Sequence, residues 1–316
     1  MTGSFQADTC RSAAGALSRI GKKQYDAIVA DYNMPVMNGL DLLNELKTRG
    51  DTTPFIMLTG SISEEKIIEA LNSGVTFFLK KGVNLDEPFA ELTSRVHMAV
   101  REQQAEKNLR LFSAVSRHDM LNKVAALSGY VELTEARTSD PTILNYMMKQ
   151  QTILQAIRDQ IQFTDDYERI GIQQPLWQQL VPIIERSAAI LQKEDVSLEM
   201  DGIGDIEVYA DPLLMKVFYN LFDNSLRHGE QVRKIRISGN KTDTGFIISY
   251  TDDGVGIPDS EKDRIFIRMR GKNTGLGLYL IREILGITNI SIRETGTFGK
   301  GARFDIGIPQ TRFRTT

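Results

Sequence analysis

The chain of 316 residues holds one cysteine and three histidines. It has no apolar run approaching the roughly 18 residues that a membrane span needs. The lone Cys10 cannot form an internal disulfide, which points to a reducing compartment. The N-terminal MTGSFQADTC lacks the apolar core of a signal peptide. These absences predict a cytoplasmic protein without membrane insertion. Neither sign of charge is in excess: 38 Lys and Arg face 41 Asp and Glu, a net charge of −3. That balance argues against nucleic acid or an anionic membrane as the main partner. Internal repeats and low-complexity tracts are also missing. The remainder is ordinary globular composition, 41% hydrophobic and 25% charged. At about 150 residues per domain, the length predicts two domains or three small ones.

Three segments differ in pattern. From Gly3 to about Lys81, short apolar runs alternate with helical patterns: FQADTC, SAAGALSRI, YDAIVAD, GLDLLNELKTR, PFIMLTG, SEEKIIEALNSG and VTFFLKK. This alternation predicts a parallel α/β sheet. Between Pro88 and Leu127 there is neither Pro nor Gly, and Asp86 and Pro88 suit a helix start. Leu92, Val96, Ala99, Leu109, Phe112, Leu121, Val124 and Val131 recur near helical spacing, so one long helix is predicted. The polar RTSD breaks it, and Asp140–Pro141 opens a second helix striped with Ile143, Met147, Leu154, Ile157 and Ile161. Two such helices make an antiparallel hairpin, and stripes that one hairpin cannot bury predict a dimeric four-helix bundle. Beyond a linker at Gly171–Pro175, helices are expected at LVPIIERSAAILQ, PLLMKVFYNLFDNSLRHG and GLYLIREILG. Strands are expected at SLEMDG, KIRISGN, GFIISYTDD, ISIRET and GARFDIGIP.

The third segment carries the most chemistry. NLFDN places Asn220 and Asn224 on one helical face, where an amide oxygen could complete a Mg²⁺ shell shared with phosphate oxygens and water. DDGVGIP sets a carboxylate at a strand end, followed by Gly254 and Gly256, where backbone can approach a ligand closely. GKNTGLGL puts glycines just before a helix whose N-terminal amides favour phosphate. Each alone reads equally as a cap, a turn or a loop; their order points to a nucleotide site. That order resembles the ATP-binding domain of the histidine kinase, gyrase, Hsp90 and MutL superfamily over about Pro175 to Pro309. The resemblance implies an α/β sandwich binding ATP and Mg²⁺. Asn224 would hold the metal, and Asn220, Arg227 and His228 would line the site with it. Asp252 would accept from the adenine amino group beside Gly254 and Gly256. Lys272, Thr274, Gly275, Leu276, Gly277 and Leu278 would belong to a short phosphate lid. Ala302 stands where many relatives carry Thr, so a hydroxyl near adenine is expected to be missing or replaced by water.

SRHDMLNKV lies within the first long helix. An imidazole can attack a phosphoryl group, and an adjacent carboxylate can take its proton or orient its tautomer. A lone histidine more often belongs to a solvated helix face, and His97 and His228 read that way, the latter beside the nucleotide pocket. HDxxN around His118 resembles the phosphoacceptor box of histidine kinases, within a hairpin that resembles their dimerisation and phosphotransfer domain over Gln104 to Ile172. By that resemblance His118 is the phosphoacceptor and Asp119 its base. Asn122 would position water to dephosphorylate a partner's aspartyl phosphate.

The first segment, through DYNMPVMNGLDLL, resembles a response-regulator receiver. The resemblance makes Asp31 the phosphoacceptor, Thr59 and Phe78 the switch residues, and Lys81 rather than Lys80 the phosphate-pairing lysine. Receivers begin with a central strand ending in a Mg²⁺-binding acidic pair; here the chain starts at what resembles the second strand, and Asp8 is no substitute. FQADTC could then pair with YDAIVAD only if the sheet closed over the gap. Either the native chain begins upstream of Met1 or the receiver is a remnant.

The combined expectation is an incomplete flavodoxin-like receiver at 1–86 and a linking helix at 87–103, followed by a dimerisation and phosphotransfer domain at 104–172 and an ATP-binding domain at 173–316. The function implied is an ATP:protein-L-histidine phosphotransferase of a two-component system. It would act as a homodimer, pass its phosphoryl group to a cognate response regulator, and carry a receiver open to an upstream phosphodonor. The alternatives are a superfamily ATPase or scaffold that has lost phosphotransfer, and a receiver-driven adaptor.

Overall fold

The computed structural model describes residues 5–60, 63–81, 86–267 and 276–315. The chain forms two compact units, residues 1–115 and 116–316.

The first unit contains α1 (Ala13–Ile20), β1 (Ile28–Asp31), α2 (Gly39–Thr48), β2 (Phe55–Thr59), α3 (Glu64–Asn72), β3 (Phe77–Lys80) and the start of α4 (Asp86–Glu135). α2 opens on a capping box: Asn38 Oδ1 accepts from the Leu40 and Asp41 amides, and Asp41 accepts from the Asn38 amide. Such a cap contributes about 1 kcal/mol. The strands run parallel in the order β1-β2-β3, with Asp31 beside Leu58 and Thr59 beside Lys80. Leu40, Leu43 and Leu46 of α2 bury against Phe55 and Met57 of β2.

The expected strand at FQADTC is not formed. Residues 5–10 are exposed and make no ladder, so β2 is the one neighbour of β1 among the described residues. Among the described residues no other strand lies beside β1 for it to join. Instead, the Phe5 ring packs on His97 with centroids 4.5 Å apart, and Asp8 accepts from Lys23 and Tyr25, each at 2.9 Å. His97 therefore has a packing partner rather than a purely solvated face. Its helix also buries Ala99 and sets Arg95 over the Phe77 ring, and Gln103 Nε2 donates to Thr52 O.

α4 is 50 residues long and unbroken; it covers the stretch between Pro88 and Leu127, whose lack of Pro and Gly predicts a long helix, and runs on through Gly129. The expected linking helix at 87–103 is therefore one helix with the segment that follows, and the division between units falls inside it. Within the second unit, α4 pairs with α5 (Pro141–Arg169), which is capped by Asp140 Oδ1 accepting from Thr142 and Ile143. Val124, Val131, Leu154 and Ile161 close the hairpin core, flanked by Leu121 and Met147.

The rest of the second unit runs β4 (Leu176–Gln179), α6 (Leu180–Ser187), β5 (Ser197–Asp201), β6 (Ile206–Ala210), α7 (Leu214–His228), β7 (Lys234–Thr242), β8 (Gly245–Asp252), α8 (Leu276–Gly286), β9 (Ser291–Glu294), β10 (Arg303–Pro309) and β11 (Phe313–Thr315). A five-stranded sheet has the order β5-β7-β8-β10-β9, parallel only between β5 and β7. A small antiparallel sheet has the order β11-β6-β4. Helices α6, α7 and α8 bury Ile184, Phe218, Phe222 and Ile281 against Ile235, Ile237, Tyr250 and Ile306 of the larger sheet. Each such side chain contributes about 1.5–3 kcal/mol on burial.

Two local expectations change. The helix at LVPIIERSAAILQ ends as α at Ser187 and continues as a 3-10 turn, Ala188–Lys193. Ser187 Oγ bonds back to the Ile183 and Met215 carbonyls there. The linker at Gly171–Pro175 is anchored: Gly171, at φ +69°, donates its amide to Asp211 Oδ2 at 2.9 Å.

Candidate nucleotide and phosphoacceptor sites

A cavity of about 910 Å³ lies within the second unit, walled by α5, α7, the first turn of α8, the segment after β8 and the loop before β10. α7 presents Asn220, Asn224, Arg227 and His228 to it, at spacings that keep them on one side of the helix. Asn220 Nδ2 donates to Lys216 O at 2.9 Å. Asn224 Nδ2 is buried without a hydrogen-bond partner among the described residues, and an unmet amide in a cavity wall calls for a polar ligand. At Gly277 a Cβ would come 3.3 Å from Asn220 Oδ1 and 3.9 Å from Asn224 Nδ2. Glycine there keeps the start of α8 close to this amide pair.

Asp252 ends β8, buried at the floor of the cavity. Oδ1 accepts from the Gly254 amide at 3.1 Å and the Ala302 amide at 2.9 Å, while Oδ2 accepts from Ser225 Oγ at 2.5 Å. An ionised carboxylate offers about four acceptor sites, so one remains for a ligand donor. Ser225 is in turn 2.9 Å from the Tyr250 hydroxyl, whose burial pushes the phenol well above its ordinary pKa and keeps it protonated. A Cβ on Gly254 would meet the Gly229 backbone at 2.7 Å. Gly256, at φ +72°, lies equally close to Gly301 O. Ala302 supplies its amide to Asp252 and carries no hydroxyl.

Arg227 holds Asp223 through Nε at 2.8 Å and Asp159 of α5 through Nη1 at 2.7 Å. Burial pushes the Asp223 carboxyl above its ordinary value, against the pull of Arg227. Lys216 Nζ meets Asp166 of α5 at 3.0 Å. Of the expected lid, Leu276, Gly277 and Leu278 line the cavity; Lys272, Thr274 and Gly275 lie outside the described residues. Among the described residues no group of three or more His, Cys, Asp or Glu could hold a metal ion. The donor set thus fits a cation that arrives with phosphate oxygens and adds one amide oxygen from Asn224. No motif singled out Ser225 or the α5 carboxylates, because their roles depend on contacts far away in sequence.

His118 stands on α4 with 75% of its side chain exposed. Asn122 Nδ2 lies 3.3 Å from its Nδ1, and Asp119 Oδ1 lies 3.7 Å from the same nitrogen. Both neighbours therefore address Nδ1. Arg117 crosses to α5, bonding Asp165 at 2.9 Å and Glu168 at 2.5 Å, and fixes the helix that carries His118. In the first unit, Asp31 closes β1 and is ion-paired with Lys81 Nζ, and its Oδ1 also accepts from the Asn33 amide at 3.3 Å. Thr59 is buried with Oγ1 lacking a hydrogen-bond partner among the described residues. Phe78 packs half-buried against the core.

Residues 2–93 match the response regulator receiver domain, and residues 210–312 match the histidine kinase-, DNA gyrase B- and HSP90-like ATPase. The chain thus combines a receiver domain, a long helical region and an ATPase domain of that kind. It is 29% identical over 235 residues to the signal transduction histidine-protein kinase AtoS of Escherichia coli (strain K12), covering 70% of this chain and 38% of that protein. With the phytochrome-like protein Cph1 of Synechocystis it shares 25% identity over 226 residues, covering 66% of this chain and 30% of that one. The chain therefore spans well under half the length of these two relatives. A solved complex of histidine kinase ThkA with response regulator protein TrrA aligns at 19% identity and TM-score 0.46, covering 66% of each chain. No helix of the described residues is long and apolar enough to cross a membrane.

Proposed function

We propose that this chain is an ATP-dependent protein histidine kinase of a two-component system, acting in the cytoplasm. Residues 173–316 bind ATP, residues 104–172 dimerise and carry the phosphoacceptor His118, and residues 1–86 form the receiver, joined through 87–103. The observation that carries the reading is the pairing, within one compact unit, of the Asn224–Asp252 cavity with an exposed histidine whose Nδ1 is held by Asn122 and Asp119.

Asp119, whose Oδ1 faces Nδ1, would keep a proton there, the Asn122 Nδ2 donor giving way, and so leave the Nε2 lone pair free; Asp119 takes that proton once the N–P bond has formed. Nε2 attacks the γ-phosphorus, the N–P bond forms as the bond to the β,γ-bridging oxygen breaks, and ADP leaves. Asp252 orients adenine, Asn220 and Asn224 face the phosphates, and Arg227 and His228 stand beside them. When bound, Mg²⁺ supplies charge neutralisation for the phosphates, with Asn224 as its side-chain ligand. The phosphoryl group then passes to an aspartate of a cognate response regulator, and Asn122 is placed to orient water for removing it again. An upstream phosphodonor is the partner implied for Asp31. The sequence alternatives, an ATPase without phosphotransfer or an adaptor, leave the Asn122–His118–Asp119 arrangement without a use.

Incubation with γ-labelled ATP and Mg²⁺ should give acid-labile, alkali-stable label that is lost in His118→Gln. Label retained by that variant overturns the assignment.

A further inference from the structure

Glu294, the last residue of β9, has a fully buried side chain. A carboxylate without solvent needs a paired charge and hydrogen bonds. Its Oε1 accepts from the Gly296 amide at 3.0 Å and the Arg303 amide at 3.3 Å, which pins both ends of the loop between β9 and β10. Its Oε2 makes no hydrogen bond among the described residues but lies 3.2 Å from Lys262 Nζ. Lys262 belongs to the segment after β8, and its ammonium also donates to Gly296 O at 2.6 Å and pairs with Asp259 at 2.8 Å. One ammonium therefore ties together two walls of the nucleotide cavity. The first carries Ile257 and Ile265; the second carries Phe298 and Ala302.

The loop has little room to adjust. A Cβ on Gly296 would come 2.7 Å from Glu294 Oε1 and 2.7 Å from the Arg303 nitrogen. A Cβ on Gly301, at φ +100°, would strike Asp252 O. Backbone is thus stacked on backbone between Glu294 and Asp252, and a displacement at the first reaches the Ala302 amide that fixes Asp252 Oδ1. The hydrogen bond to Asp259, with Glu294 adding to it, holds the Lys262 ammonium above its ordinary pKa and keeps it charged at neutral pH.

We propose that Lys262 and Glu294 are positioning residues that set the spacing of the base pocket and so sharpen its preference for adenine over guanine nucleotides. The inference rests on the ATP-binding reading above. Adenine offers a donor to Asp252, whereas guanine offers a carbonyl oxygen at the same edge. Rejecting guanine requires that the carboxylate stay where it is. Loosened walls weaken ATP and leave GTP little changed.

The test is calorimetric titration of the full chain with non-hydrolysable ATP and GTP analogues. Lys262→Met and Glu294→Gln should weaken the ATP analogue about tenfold and the GTP analogue less than about twofold. Lys262→Arg, which keeps the charge, should restore the ATP affinity to within about threefold of wild type. Lys262→Met keeps most of the side-chain stem, so far-ultraviolet dichroism and thermal midpoint should show it folded. Wild-type affinity in folded Lys262→Met, or equal losses for both analogues, overturns the proposal. Asp252→Asn serves as the control for the underlying reading. If it weakens the ATP analogue while Lys262→Met does not, ATP binding stands and the positioning role falls. If wild type binds neither analogue, the ATP reading itself falls and the inference with it.

Discussion

Arg227 Nη1 lies 2.7 Å from Asp159 Oδ2, joining the last turn of α7 to α5. The same guanidinium holds Asp223, so a triphosphate approaching Arg227 competes with two carboxylates. Asp159→Asn should therefore tighten ATP about two- to fivefold, the scale of a partly exposed ion pair. Titration of the full chain checks this, and an unchanged or weaker affinity contradicts the competition.

Asp252 accepts from two backbone amides and Ser225. On the proposed ATP-binding reading, replacing it by Asn would set a donor against the adenine amino group in place of an acceptor. Asp252→Asn should weaken ATP more than tenfold, as loss of a hydrogen bond to a charged group does. Asn224→Asp should leave binding less affected and chiefly disturb metal-dependent turnover, read from initial rates across a Mg²⁺ series.

Asp31 is paired with Lys81, and no acidic cluster that could hold Mg²⁺ surrounds it among the described residues. One carboxylate with carbonyls and water binds Mg²⁺ poorly. Acetyl phosphate with Mg²⁺ should give little or no mass increase at Asp31. Stoichiometric labelling that disappears in Asp31→Asn would show a working receiver.

Leu109 and Phe112 are 69% and 72% exposed, and Leu127 and Tyr130 add exposed apolar surface on the same helix. Apolar surface on this scale is rare on a monomer. Sedimentation at micromolar concentration should give the mass of two chains. Phe112→Glu should shift it toward one.

Asp305 accepts from Ser249 at 2.6 Å, Thr295 at 2.7 Å and Arg303 at 3.0 Å. Burial raises its pKa, but these bonds prevail and hold the carboxyl below its ordinary 3.8. The unfolded chain then binds more protons in the window below that value. The stabilisation is complete above pH 3.8 and is lost as pH falls through the lower folded value. Asp305→Asn should flatten the acid limb of thermal stability, measured by calorimetry between about pH 2 and 6.

Much of this architecture was legible because its signals are local. Asp140–Pro141 marks the start of α5, the uninterrupted apolar spacing marks α4, and the Asn and Asp-Gly motifs fall on the walls of one cavity together with Leu276, Gly277 and Leu278 from the end of the Gly-rich motif. What escaped depends on distant partners. β4, β6 and β11 are three to five residues long and exist through pairing with one another. FQADTC has the composition of a strand but no strand beside it among the described residues. Ser225 acquires its role only when α7 is laid against the end of β8. The Lys262–Glu294 pair likewise joins residues 32 positions apart, in segments where neither carries a motif.

The small sheet also governs the order in which the second unit can be completed during synthesis. β6 pairs on one side with β4, which precedes it, and on the other with β11, where Arg314 meets Glu207 across 107 residues. The Phe313 ring packs on Phe246, so the core too waits for that strand. Until residues 313–315 leave the ribosome, β6 keeps an open edge and Phe246 lacks a neighbour. Closing so long a loop is slow, and the emerging unit is exposed to mispairing for that interval.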